Sequence, residues 1–164
     1  MKKLLSTLAV LSVVAMGHPA ALAQDGGVKF ETGSLVIKTD DSQLTFNIEI
    51  ADSAEETTQG LMFRETLAED AGMLFDFGVP REPNMWMKNT LIPLDILFLD
   101  DEGVIVAIAR NARPHSQRRI SPGMIVKGVL ELNGGVAAKM DIQPGDVVQH
   151  AIFNNVEVAV EAPK

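Results

Sequence analysis

The chain has 164 residues, 22 of them acidic and 14 basic, for a formal net charge of −8. It contains no cysteine, which excludes a disulfide framework, a thiolate metal centre and a Cys nucleophile. The acidic balance argues against nucleic acid or anionic lipid as a partner, because both require a basic footprint.

Residues 1–23 read as a secretory signal. Lys2 and Lys3 form a positive n-region, Leu4 to Met16 is an apolar segment too short to span a bilayer comfortably, and Ala21-Leu22-Ala23 is a small-x-small cleavage site. The alternative is an uncleaved membrane anchor. No Cys follows the site, so a lipid-modified Cys is excluded. On the signal reading the protein is exported, periplasmic or extracellular, starts at Gln24, and is not inserted in the membrane after cleavage. Loss of Lys2 and Lys3 takes the net charge from −8 to −10.

Gln24 to Gly33 is a polar lead-in to one globular domain over 34–164. Leu35 to Lys38 and Leu44 to Ile50 alternate apolar and polar residues around Asp40-Asp41-Ser42, which predicts a hairpin of half-buried strands. Ser53 and Glu56 form a capping box that opens a short helix to about Gln59, and Gly60 breaks it. Gly72 to Phe75 predicts a short buried strand, and Gly78 to Pro83 a loop. Met85-Trp86-Met87 is expected to be extended, and Pro93 argues against a helix through this stretch. Leu94 to Leu99 and Val104 to Ala109 are near-continuous apolar runs around Asp100-Asp101-Glu102-Gly103, a hairpin buried on both faces. Ile125 to Leu132 is another strand, followed by a short helix that places Val136, Ala137 and Met140 on one face. Val147 to Phe153 and Val156 to Val160 are strands flanking a turn at Asn154-Asn155. About eight short strands and two short helices, without βαβ alternation, predict a β-rich α+β domain. Its antiparallel hairpins would curl into a barrel-like body.

Several motifs occur in a fixed order: Gly60-Leu61-Met62-Phe63-Arg64, Gly72-Met73-Leu74-Phe75, Trp86-Met87-Lys88-Asn89-Thr90, Pro93-Leu94-Asp95-Ile96, Val129-Leu130-Glu131-Leu132 and Gly145-Asp146. Together they resemble the domain of unknown function 192 family over roughly Leu44 to His150. The chain departs from the family pattern at Met85, where an aromatic residue is usual, and at Val126-Lys127-Gly128, where an Ala and a Tyr are common. The resemblance implies a small, often exported domain. It brings no reaction, cofactor or ligand with it.

The candidate chemistry therefore comes from single residues. Asp95 lies in a strand expected to be buried, so it either anchors a ligand or serves the fold by pairing with Lys88 or Arg64 or by accepting backbone N–H bonds. Glu131 with Asp95 could form a hydrolase carboxylate pair, or Glu131 could be a surface or salt-bridged residue. Trp86 with Lys88 and Asn89 could form a sugar-binding platform, or the only Trp could simply be core. Asn89-Thr90 can equally be turn chemistry. Met85 and Met87, with Met62 and Met73 near, suit Cu(I) in an oxidising compartment, although methionines fill core gaps by default. Arg110, Arg113, Arg118 and Arg119 could grip an anion, or form a solvated loop. No nucleophile elbow, phosphate loop, zinc-protease motif or dinucleotide fingerprint occurs. The leading expectation is an exported domain that binds a small polar ligand such as carbohydrate or cell-envelope material. Its site would be Trp86, Lys88, Asn89 and Asp95, supported by Arg64 and Glu131. A hydrolase using Asp95 and Glu131, a Cu(I) carrier using Met85 and Met87, and a structural envelope domain are the alternatives. No cofactor is expected, and a protein partner is not specified.

Overall fold

The computed structural model describes residues 27–156. The expected signal over 1–23 and the strand expected from Val156 to Val160 lie outside these residues, Val156 itself apart. The elements are β1 (Glu31–Lys38), β2 (Gln43–Ala51), α1 (Ala54–Gln59), β3 (Ala71–Arg81), β4 (Leu94–Leu99), β5 (Ile105–Ala112), β6 (Val126–Asn133), α2 (Val136–Lys139) and β7 (Val147–Gln149). The strands form one sheet in the order β5-β4-β6-β3-β2-β1-β7. It curls so far that its two ends meet at an isolated bridge between Val104 and Val147. The β-rich, barrel-like α+β architecture expected from the sequence is what forms.

The β1–β2 and β4–β5 hairpins pair as expected. One connection differs from an all-hairpin arrangement: β2 and β3 run parallel, joined across α1. The reason lies at Gly60 and beyond, where α1 ends and the chain crosses back before β3 begins beside β2. Ser53 caps α1 by accepting from the Glu56 N–H, and the Glu56 carboxylate answers the Ser53 N–H at 3.0 Å. Such a cap is worth about 1 kcal/mol, which helps so short a helix hold its place. Near the chain's end, β7 stops at Gln149. His150 then caps a single 3-10 turn over Ala151–Phe153, and Asn154 closes it in the left-handed region. The Asn155 side chain is drawn inward to the carbonyls of Glu102 and Val148, so this segment fastens the barrel seam instead of making a hairpin turn.

Both faces of the sheet are apolar. All seven strands send side chains inward, among them Leu35, Phe46, Leu74, Leu97, Leu130 and Val148, which pack with Val136 and Ala137 of α2. The outer face carries Met73, Phe75, Ile96, Phe98 and Val129, and Leu61 and Met87 from the covering segments bury it. Every residue of β4 is buried, as its unbroken apolar run predicts. The strand beside it is less buried than expected: most of β5 is only partly covered because it lies at an end of the sheet. Gly103 is required at the β4–β5 turn. Its φ is +84°, and a Cβ there would lie 2.4 Å from the Val148 carbonyl oxygen.

Candidate functional site

The outer face of β6 is covered by two loops, and a cavity remains between them. The 84–87 segment is held extended against the 116–120 loop. Met85 exchanges both backbone hydrogen bonds with Ile120, at 3.1 and 2.9 Å, and the Met87 N–H donates to the Ser116 carbonyl at 2.8 Å. The alternation expected of an extended segment follows. Met87 is fully buried in the outer core, while Trp86 points away and is 44% exposed. The chain then turns at Asn89, whose φ is +56°. Its carbonyl accepts from the Phe63 N–H at 2.8 Å, which ties this loop to the Leu61–Arg64 segment after α1.

Beneath these loops lies a cavity of about 50 Å³ that opens to solvent. Its walls include Asn84, Met85 and Trp86 from the extended segment, Thr57, Thr58 and Gln59 of α1, and Met62 and Phe75. Glu131 also lines it. A neighbouring hollow of about 270 Å³, lined by Phe77, Arg81 and Glu82, shares Thr57, Phe75, Asn84 and Met85 with the cavity.

Glu131 is the unusual residue. It is 4% exposed, yet among the described residues its carboxyl has no hydrogen-bond or ion-pair partner. Burial pushes its pKa from 4.5 up to about 8, because the charged form has lost its hydration and gained nothing in return. At neutral pH it is therefore a carboxylic acid, able to donate one hydrogen bond and accept others. The sequence expectation of a surface or salt-bridged Glu is corrected on both counts. The amide Nε2 of Gln59, in the same cavity lining, is also buried without a partner. Unpaired buried polar groups are uncommon, and here the Gln59 amide nitrogen and the partnerless Glu131 carboxyl line one cavity.

Asp95 is equally buried but fully engaged. Its Oδ1 accepts from the Asn111 N–H at 2.7 Å and its Oδ2 from the Ala137 N–H at 2.9 Å. It thus pins an irregularity of β5, where Arg110 and Asn111 bulge between Ala109 and Ala112, to the start of α2. The pairings with Lys88 or Arg64 do not form. Nor do Asp95 and Glu131 form a carboxylate pair. In the β4–β6 register Ile96 lies opposite Glu131 and Leu132 opposite Asp95. Since side chains alternate along a strand, Glu131 projects to the outer face and Asp95 to the inner one.

The remaining expected residues divide between the rim and other sites. Lys88 Nζ sits 5.7 Å from the centroid of the Trp86 ring, and Asn89 Nδ2 reaches Met62 Sδ at 3.9 Å. Neither is among the cavity-lining residues. Arg64 forms an ion pair with Glu49 and lies 5.7 Å from the Phe30 ring, away from the cavity. The two methionines of the Cu(I) reading separate, Met87 into the core and Met85 to the cavity wall. The arginines do not converge: Arg110 donates to the Ile142 carbonyl at 2.7 Å, and Arg119 pairs with Glu82. Gln59, Thr57, Thr58 and Asn84 were not singled out by the sequence. Gln59 directly precedes the helix-breaking Gly60, but only the parallel β2–β3 packing brings that helix end over β6.

The comparisons agree with this fold. A family model for domain of unknown function 192, described as "Uncharacterized ACR", matches residues 35–150. The chain belongs to this family. A crystal structure from Sinorhizobium meliloti, named as a candidate transcription regulator, is 40% identical to this DUF192 chain. That match covers 77% of this chain and 99% of the other, with a TM-score of 0.75. A protein of unknown function from Novosphingobium aromaticivorans is 33% identical over 82% of this chain and 94% of its own, with a TM-score of 0.73. No curated protein matches the chain.

Proposed function

We propose that this DUF192 protein is an exported domain that binds a small polar ligand, carbohydrate or cell-envelope material, in the cavity beneath Trp86. The observation that carries the reading is the pairing of a half-exposed indole at the rim with the unpartnered Glu131 carboxyl inside. An indole face covers the apolar side of a sugar ring. The Glu131 acid, the Gln59 amide and the Asn84 amide supply hydrogen bonds to hydroxyls. Binding is preferred over hydrolysis because Asp95, the proposed partner of Glu131, is committed to two backbone N–H groups on the opposite face of the sheet. The acidic net charge of −8 supports a small-molecule ligand over nucleic acid.

The test is a thermal-shift screen of the protein from Gln24 to Lys164 against sugars and murein fragments. A ligand at about a hundred times its dissociation constant adds roughly 2.7 kcal/mol and raises the midpoint by several degrees. The expected result is a saccharide hit that disappears in Trp86→Ala. A flat panel, or a hit unchanged in Trp86→Ala, overturns the reading.

A further inference from the structure

The cavity has a charge asymmetry. Glu131 is its one ionisable lining residue, and none of the lining residues is basic. The groups facing Glu131 offer no compensation. Its cross-strand neighbours are Met73 on β3 and Ile96 on β4. The cavity residues from α1 and the 84–90 segment present hydroxyls, amides, a thioether and an indole. Among the described residues, Arg64, Lys127 and Arg119 are ion-paired with Glu49, Asp76 and Glu82, while Lys88 lies over the Trp86 ring and Arg81, in the adjoining hollow, over the Phe77 ring at 4.3 Å.

We infer that the ligand carries a protonated amine, whose ammonium seats against the Glu131 carboxyl as the counter-charge that the fold itself does not provide. The inference rests on the binding reading above and names the class of ligand: an amino sugar or a comparable amino alcohol. The walls suit such a group. Aromatic rings and thioethers are soft, polarisable surfaces for a cation, and a charge pair shielded from water by them is stronger than one in solvent. A neutral hydroxyl leaves the carboxyl protonated. An ammonium converts it to carboxylate, because an opposite charge at contact favours the ionised form. The proton balance is explicit. Protonated Glu131 releases its acid proton to solvent as the ammonium, keeping all of its own protons, takes up the ion pair. With Glu131 titrating near 8 in the free protein, binding at about pH 6.5 releases close to one proton per site.

The experiment is isothermal calorimetry of the protein from Gln24 to Lys164 at about pH 6.5, repeated in phosphate and in PIPES, neither of them an amino alcohol, so that proton release is read from the difference in heats. The probes are glucosamine, glucose and N-acetylglucosamine, with ethanolamine and ethylene glycol as a pair lacking the sugar ring. The expected result is at least a ten-fold preference for glucosamine over both neutral sugars, with close to one proton released. Glu131→Gln should remove that preference and the proton release. Equal binding of the three sugars, or a preference that survives in Glu131→Gln, overturns the amine inference and leaves the polar-ligand reading standing. Ethanolamine binding with proton release, while no sugar binds, supports the amine and overturns carbohydrate as the ligand. No binding by any probe overturns the inference together with the carbohydrate reading. Proton release by the unmodified protein is measured independently of the variant, so a misfolded Glu131→Gln does not blunt the test.

Discussion

Replacing Glu131 with Gln should make the protein more stable at neutral pH. The carboxyl is raised from 4.5 to about 8 by burial. Between those values the unfolded chain carries a carboxylate and the folded chain a neutral acid, so folding takes up a proton. The contribution of this group to stability is therefore fully present below pH 4.5. It declines by about 1.4 kcal/mol per pH unit as the pH rises, and levels off above about pH 8. By pH 7 the loss is about 3 kcal/mol. Gln has nearly the same shape and does not titrate, so it escapes this loss. Its own amide desolvation is the same at every pH. The variant should thus gain on the parent by about 3 kcal/mol between pH 4.5 and pH 7, or roughly 10 °C in midpoint for a domain of this size. Urea denaturation of both proteins at unit pH steps, followed by the fluorescence of Trp86, measures the difference directly. Other titrating groups are common to both proteins and cancel. A stability difference that stays constant from pH 4.5 to pH 8 would refute the claim that Glu131 is buried and unpaired.

Asp95 should behave in the opposite way. Asp95→Ala leaves the Asn111 and Ala137 N–H groups without acceptors and should lower stability by about 3–5 kcal/mol; a loss under about 1 kcal/mol in chemical denaturation would contradict the clasp. Trp86→Ala should reduce stability by no more than about 1.5 kcal/mol, because nearly half of the side chain is already in water, whereas a loss of core size, about 3–5 kcal/mol, would place the indole inside the fold. Trp86 is also the only Trp in the chain, so its emission should lie near that of a partly hydrated indole and shift when a ligand fills the cavity. Gly60→Ala adds a Cβ 3.2 Å from Phe75 Cζ at a residue with φ +48°, and should lower the midpoint by an amount equivalent to about 1–2 kcal/mol.

The sequence by itself determined the local elements. Period-two alternation over Leu44 to Ile50 has one structural solution, and so does the capping box at Ser53 and Glu56, because each depends only on neighbours along the chain. The unbroken run of β4 likewise announces burial on both faces. Tertiary structure alone decided the site. Asp95 and Glu131 are both acids inside apolar strands, and in sequence nothing separates them. Their fates diverge because the β4–β6 register sends one inward, to the backbone N–H groups of a bulge and a helix start, and the other outward, into a cavity where no donor is bonded to it. Trp86 and Met87 are adjacent and both apolar, yet the bridge from Met85 to Ile120 sets which of them enters the core. The parallel pairing of β2 with β3 brings Gln59 to the same cavity as Glu131, from more than seventy residues away. Strand register and strand order are fixed by the packing of the whole sheet, so residues distant in sequence acquire a common cavity only when the barrel closes.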